Sequence, residues 1–303
     1  MGKMFEALQK TEQEKFTEHA EETREAIPTD DVVFDDKLVA YYQRTSMVSE
    51  QFRRLRTYIT SPRLDGSYPK TILITSTWAG EGKSLIAANL AVMIAAELQS
   101  HALLVDCDLR NPSLSRLFGL NQKKGLSNYL AGDTKIEDIL IKTPVDKLSI
   151  IPGGSLEENP VELIGSNKMK SLVQDLKSRY DDRFIIFDSS PILPTTEPSV
   201  LNKMVDGIIM VIMSGKTPRE SVTQAINVLD KEKILGVVLN NLEFKTNAMI
   251  RKHFGSDRYY YNYNYDYAGA NPQPHIWAKI KGMFGSVKIF RNKNVTSNSN
   301  SSS

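Results

Sequence analysis

Through the middle of the chain, apolar residues come in short, nearly unbroken runs, each followed within a few dozen residues by the next. The runs are Thr71–Thr75, Ala102–Asp106, Leu148–Ile151, Arg183–Phe187, Gly207–Met213 and Leu235–Leu239. Between them, Ser84–Leu98, Lys168–Arg179 and Arg219–Leu229 carry their apolar residues at helical period. A strand that is apolar at nearly every position has both faces buried. The alternation therefore predicts an α/β fold, a doubly wound and mostly parallel sheet with helices on both faces. In such a sheet functional residues gather at the C-terminal ends of the strands. Ahead of the first run, Ser46–Ile59 predicts a helix with Val48, Phe52, Leu55 and Ile59 on one face and Glu50, Arg53 and Arg56 on another. Met4, Phe5 and Leu8 make the stripe of a short leading helix, followed by an acidic stretch interrupted by Pro28. After Leu242 the rhythm stops, with Phe244–Phe254 as one last helix. The expected organisation is a leader and acidic linker at 1–45, a folded domain at 46–254, a tyrosine-rich segment at 255–270 and a basic, Ser/Asn-rich tail at 271–303.

Composition narrows this only a little. The chain has 303 residues, 41% hydrophobic and 24% charged, which is ordinary for a globular protein. The net charge of +2 says less than its distribution. The leader is rich in acids, whereas the tail from Pro272 carries Lys279, Lys281, Lys288, Arg291 and Lys293 and no acid. Ends of opposite sign are usually solvated or meet partners. A single cysteine, Cys107, excludes an internal disulfide framework and fits a reducing compartment. No apolar run reaches the length of a membrane-spanning helix. His19, His101, His253 and His275 have no ligand spacing, so no zinc site is expected.

Candidate chemistry sits where the fold class places it. After the first strand comes Thr77-Trp78-Ala79-Gly80-Glu81-Gly82-Lys83-Ser84, opening a helix. Gly80 and Gly82 let backbone N–H groups wrap phosphate oxygens, Lys83 offers charge to the β- and γ-phosphates, and Ser84 offers a hydroxyl to Mg²⁺. The first position of the usual pattern, normally Gly, is Thr77. The second strand ends in Asp106-Cys107-Asp108-Leu109-Arg110, and a later one ends in Asp188. Mg²⁺ takes a few carboxylates together with phosphate oxygens, and acids at neighbouring strand ends can supply them. The plainer reading is that such acids cap the next helix. Asn240 and Asn241, ending the last strand, are candidates for an adenine ring, with turn formation as the alternative. Trp78 is read as covering a nucleotide, meeting another subunit or simply packing. Arg110 is read as facing phosphate or pairing with an acid.

Near the C-terminus six tyrosines stand in nine residues: Tyr259, Tyr260, Tyr261, Tyr263, Tyr265 and Tyr267. Three in succession would put rings on both faces of a strand, and Asn262, Asn264 and Asp266 keep the run polar. A phosphate-binding loop followed by a row of phosphate acceptors suggests a chain that is its own substrate.

Together these motifs resemble the bacterial tyrosine kinases of capsule and exopolysaccharide systems. The resemblance rests on the variant Walker A loop Thr77–Ser84, the Asp-x-Asp-x-Arg motif at Leu103–Arg110, a Walker B strand at Ile185–Asp188 and the tyrosine cluster, in that order. Glu50, Arg53 and Arg56 match the family's Glu-x-x-Arg-x-x-Arg, and Asn159–Leu163 matches its Asn-Pro-x-Glu-Leu segment. The resemblance implies a P-loop NTPase fold of the Min/Par-like kind with flexible tails, and an ATP- and Mg²⁺-dependent protein-tyrosine autokinase. By the same resemblance, residues 77–84 bind nucleotide, and Ser84, Asp108 and Asp188 hold Mg²⁺; Asn241 is expected at the nucleotide from its place at the end of the last strand. Lys83, Asp106, Asp108 and Asp188 are catalytic, with Asp106 the expected acceptor of the tyrosine proton. Glu50, Arg53 and Arg56 mediate a ring-shaped homo-oligomer in which the tyrosines are modified in trans. The implied partners are a separate membrane-embedded regulator of polysaccharide chain length, a tyrosine phosphatase and sugar-nucleotide enzymes, with no nucleic acid. The implied location is the cytoplasmic face of the membrane, reached through the partner. Two other readings stay open: a Min/Par-type ATPase switch, whose signature lysine is replaced here by Trp78, and a nucleotide-binding adaptor with little turnover.

Overall fold

The computed structural model describes residues 33–62, 66–121, 123–155, 159–179, 182–242 and, for the backbone alone, 286–291. Short helix α1 (Val39–Tyr42) and helix α2 (Met47–Thr60) lead into β1 (Thr71–Ser76) and α3 (Lys83–Ala95). Then follow β2 (His101–Asp106), α4 (Leu114–Leu117), α5 (Leu126–Ala131), β3 (Ile141–Lys142) and β4 (Leu148–Ile151). Next come α6 (Pro160–Gly165), α7 (Asn167–Arg179), β5 (Arg183–Asp188) and α8 (Glu197–Leu201). The chain closes with β6 (Gly207–Met213), α9 (Arg219–Val228), β7 (Ile234–Leu242) and β8 (Ser286–Arg291).

The strands form one sheet in the order β3-β4-β2-β5-β1-β6-β7-β8. The six apolar runs foreseen in the sequence are the six inner strands, β4 to β7 in that order, and all pair in parallel. β3 and β8 add antiparallel edges that the apolar pattern does not announce. Alternate residues of each inner strand enter two cores. Ile72, Ile74, Leu104 and Ile186 pack beneath α1 to α3, whereas Leu73, Leu103, Val105 and Phe187 face the opposite helices. That two-sided burial is why the strands read as continuous apolar runs.

The phosphate-loop helix α3 is sandwiched between the sheet and an outer layer, so residues Ile86 to Ala95 are all buried. It starts at Lys83 and ends at Ala95, short of the expected Leu98, which is exposed. The outer layer begins earlier than the boundary at residue 46. Phe34, Leu38, Val39 and Ala40 are buried against α3, and Phe34 meets the Phe118 ring edge-on at 5.3 Å. Asn89 within α3 fixes this strap: its Oδ1 accepts from the Ala40 N–H at 2.9 Å, and its Nδ2 donates to the Lys37 and Leu85 carbonyls.

Ser286–Arg291, in the expected Ser/Asn-rich tail, pairs antiparallel with β7, with Val238 opposite Ile289 and Leu242 opposite Ser286. Val287, Ile289 and Phe290 suit a strand, and Lys288 and Arg291 suit an exposed edge. The Met4–Leu8 stripe, the Phe244–Phe254 helix and the tyrosines at 259–267 lie outside the described residues. Among the described residues no helix is long and apolar enough to cross a membrane.

Candidate active site

The register of the central strands assembles the site. β2 and β5 pair so that Asp106 lies opposite Asp188, and β5 pairs with β1, which feeds the phosphate loop. Parallel order brings three strand ends to one edge of the sheet, and α3 begins there. Gly80 and Gly82 both adopt positive φ, +81° and +92°, a conformation that side chains with a Cβ disfavour. A Cβ added to Gly80 would meet nothing within 4 Å, so the crest of the loop is open. At Gly82 it would come 2.2 Å from Asn240 Nδ2.

Lys83, Asp106, Asp108 and Asp188 converge under this loop. Lys83 Nζ donates to Asp108 Oδ2 at 2.7 Å and lies 3.3 Å from Ser84 Oγ. Burial alone would lower the pKa of this ammonium, but Asp188 and Asp108 outweigh it and hold the pKa above its ordinary value. Asp188 is fully buried and neither of its oxygens has a hydrogen-bond partner. Burial pushes its pKa up to about 6, against the pull of Lys83 and of the Ser84 hydroxyl, which acts on it without reaching hydrogen-bond geometry. Burial and the facing Asp188 push Asp106 to about 8, although backbone N–H groups favour its charged form.

Asp106 is the residue whose surroundings depart most from expectation. Its Oδ2 accepts from the N–H groups of Ser113 and Leu114 at 2.9 and 3.0 Å, and its Oδ1 from that of Asp108 at 3.2 Å. Both oxygens thus organise the turn into α4, which is the capping role weighed against catalysis in the sequence. Asp108 is less committed: Oδ1 takes the Asn111 N–H at 3.1 Å and Oδ2 takes Lys83.

These residues fit a magnesium nucleotide. Buried, unpartnered carboxylate oxygens are rare unless a ligand satisfies them, and Asp188 supplies two beside a lysine and a hydroxyl. Among the described residues no three His, Cys, Asp or Glu side chains form a ready-made metal cage. Mg²⁺ does not require one, since phosphate oxygens and water complete its shell.

The remaining expected site residues divide. Asn240 sits against the phosphate loop, its Nδ2 donating to the Glu81 carbonyl at 2.9 Å, and its Oδ1 accepts from Asn241 N–H. Asn241 has φ +56°, a left-handed conformation that Asn tolerates better than most residues. Arg110 takes the acid-pairing option: its Nε meets Glu197 Oε1 at 2.6 Å. Glu197 is buried, with Oε2 unpartnered, and sequence reasoning missed it because nothing near α8 marks it as chemical. Glu81 was expected only as a loop residue, yet it is buried, bonds Thr217, and accepts the Trp78 N–H at 3.0 Å. On α2, Glu50 and Arg53 pair at 2.7 Å near the surface, whereas Arg56 turns inward to the Met93 carbonyl at 3.2 Å. Cys107 is fully buried and its thiol pKa is raised by burial, as for an inert core cysteine.

Comparison with known proteins places this geometry. Residues 69–240 match the AAA domain family. The chain is 36% identical to tyrosine-protein kinase YwqD of Bacillus subtilis over 205 residues, covering 67% of this chain and 85% of that protein. It is 33% identical to the putative tyrosine-protein kinase CapB of Staphylococcus aureus over 214 residues, 70% of this chain and 92% of that one. The crystal structure of the chimerical protein CapA2B2 superposes with a TM-score of 0.62 at 32% identity, covering 67% of this chain and 88% of that one.

Proposed function

The chain belongs to the bacterial tyrosine-protein kinases of capsule and exopolysaccharide systems, and from that premise we propose that it phosphorylates its own tyrosine cluster, Tyr259 to Tyr267, in trans within a homo-oligomer. The observation that carries this reading is the buried Lys83–Asp108 pair beside the unpartnered Asp188, a cluster that a phosphate-bound cation would complete. Ser84 and Asp188 would hold Mg²⁺, and Asp108, expected as a third ligand, is kept for the tyrosine proton. Lys83 and the N–H groups of the loop would hold the phosphates. Bound Mg·ATP supplies the γ-phosphoryl group, polarised for in-line transfer.

The chain's own residues then act mainly by position and charge, because phosphoryl transfer passes through a loose transition state. Lys83 leaves Asp108 for phosphate, which frees Asp108 Oδ2 on the reacting side. We therefore assign the tyrosine proton to Asp108 and give Asp106, expected in that role, the task of fixing the 108–114 turn. The phenolic oxygen forms the new P–O bond, the β–γ bridge bond breaks, and ADP departs with its electron pair. Glu50 and Arg53 on α2 are proposed to join neighbouring subunits. A separate membrane protein would activate the oligomer and bring it to the inner face of the membrane.

Intact-mass measurement after incubation with Mg·ATP tests the reading, with Lys83→Met as control. Successive phosphate additions that map to residues 259–267 and are missing from the control are expected. Nucleotide hydrolysis without any added mass would place the chain with the Min/Par-type switches instead.

A further inference from the structure

Trp78 is the part of the site that the chemistry above leaves unused. It is 43% exposed, and among the described residues no aromatic ring or cation stacks on it. Tryptophan is the largest apolar side chain and is mostly covered in folded proteins. Left open on the phosphate loop, its indole offers a broad planar face for a second ring to stack on.

The backbone that carries the indole is held in place. The Trp78 N–H donates to Glu81 Oε2 at 3.0 Å, and its carbonyl accepts from Ser76 Oγ at 2.7 Å. Glu81 is itself tied to the Thr217 hydroxyl, on the loop after β6, and its carbonyl takes Asn240 Nδ2 at 2.9 Å. The backbone at Trp78 is therefore fixed to two neighbouring elements before any ligand binds. That order lowers the entropy lost when a ligand ring docks.

Two planar groups visit a tyrosine kinase site, the nucleotide base and the acceptor phenol. The loop has two distinct ends. Its Gly82 end lies against Asn240 at the tip of β7. Its Thr77–Trp78 end lies beside the segment that continues from Asp188, with Ile192 N–H bonded to the Ser76 carbonyl at 2.8 Å. The reacting phosphoryl group belongs with Lys83, Asp108 and Asp188. The Thr77 end of the loop, which leads directly into Trp78, is the end that adjoins the Asp188 segment.

We propose that the Trp78 indole is the wall on which the acceptor tyrosine ring is seated, and that it makes this site prefer tyrosine over serine or threonine. All three offer a hydroxyl nucleophile, and only the ring of tyrosine can use such a wall. This rests on the kinase activity and not on whether the chain's own cluster is the substrate.

The test uses the full chain with Trp277→Phe, which leaves Trp78 as its one indole, and a peptide of residues 258–267. Emission excited selectively at the indole is expected to change as the peptide is added with Mg·ADP present. A peptide with phenylalanine in place of the tyrosines keeps the response, and one with serine loses it. In steady-state phosphorylation of the peptide, Trp78→Ala is expected to raise the acceptor KM about tenfold, more than it changes the KM for ATP. Trp78→Phe recovers most of that loss and Trp78→Leu does not. No emission response to the tyrosine peptide, equal losses for Phe and Leu, or a larger effect on the KM for ATP would overturn the proposal. The emission arm needs no turnover, so it remains decisive if intact-mass analysis finds no self-phosphorylation.

Discussion

Asp188 is held in a state that the apoprotein does not favour. Its carboxyl is buried without a hydrogen bond and its pKa rises to about 6 from an ordinary value of 3.8. The sign follows from linkage: the folded state prefers the protonated acid, so the contribution of Asp188 to stability is fully present below pH 3.8 and is lost as pH rises through about 6. Asp188→Asn removes that cost. The apo variant is expected to unfold at higher temperature than the wild type at pH 7.5, by the equivalent of about 1–3 kcal/mol. Its phosphorylation rate is expected to fall by about 100-fold or more, because the charge that holds the cation is gone. Thermal melts beside a kinase assay check both halves, and equal melting temperatures would sink the first. Glu197 offers a second prediction at this scale. It fixes Arg110, which joins the loop after β2 to the one after β5. Glu197→Gln keeps the shape and weakens the ion pair, so a loss of about tenfold in kcat at little cost in stability is expected. An unchanged kcat would make the pair merely structural.

Among the elements, the strap at 34–42 and helix α3 depend on one polar side chain. Asn89 satisfies the Ala40 N–H and the Lys37 carbonyl inside an apolar layer. Asn89→Leu leaves both groups buried and unpaired, and a loss of about 2–4 kcal/mol is expected from urea unfolding. The first residues of β1 depend on Asp206, which accepts from Thr71 N–H at 3.1 Å and Thr71 Oγ1 at 2.8 Å and pairs with Lys177. Burial alone would raise its pKa, but the bonds from Lys177 and Thr71 outweigh burial and hold it below 3.8. A lowered carboxyl pKa stabilises the fold above its unfolded value, and that contribution is lost as pH falls through the folded value. The stability difference between wild type and Asp206→Asn is thus expected to be steady from about pH 5 to 7 and to shrink below about pH 4. Chemical denaturation across that range measures it.

For the whole molecule the predictions concern assembly. Glu50 and Arg53 sit near the surface on α2 and bond to each other within one subunit. Arg53→Glu sets like charges side by side and removes a cation from the proposed contact. Light scattering is expected to show smaller species with unchanged circular dichroism, and an unchanged mass would remove α2 from the interface. Phosphorylation acts on the same balance. Each phosphotyrosine adds about −1.5 to −2 charges, so a fully modified cluster carries about −9 to −12 more. Such charge next to acidic sites is expected to loosen the oligomer, seen as a later elution volume after incubation with Mg·ATP.

Period and spacing were enough to determine the six parallel strands, the phosphate loop and the acids at the strand ends. A strand buried on both faces has to be apolar throughout, and a loop that wraps phosphate needs glycine at fixed offsets. The tyrosine run was equally plain as composition. Other features depend on which distant residues meet, and only the folded chain decided them. Phe34 to Ala40 lie in an acidic, weakly patterned stretch, and become core because Asn89 and Phe118 receive them. The β8 pairing needs only backbone donors and acceptors on β7, which composition hardly marks. Asp106 and Asp108 look alike in sequence, two residues apart. Packing gives the first to the backbone of the next turn and the second to Lys83. Glu197 has no motif, and its part comes from a single close approach to Arg110. Trp78 could have been packed or open, and the tie of Glu81 to Thr217, more than a hundred residues away, holds its backbone where the indole faces solvent.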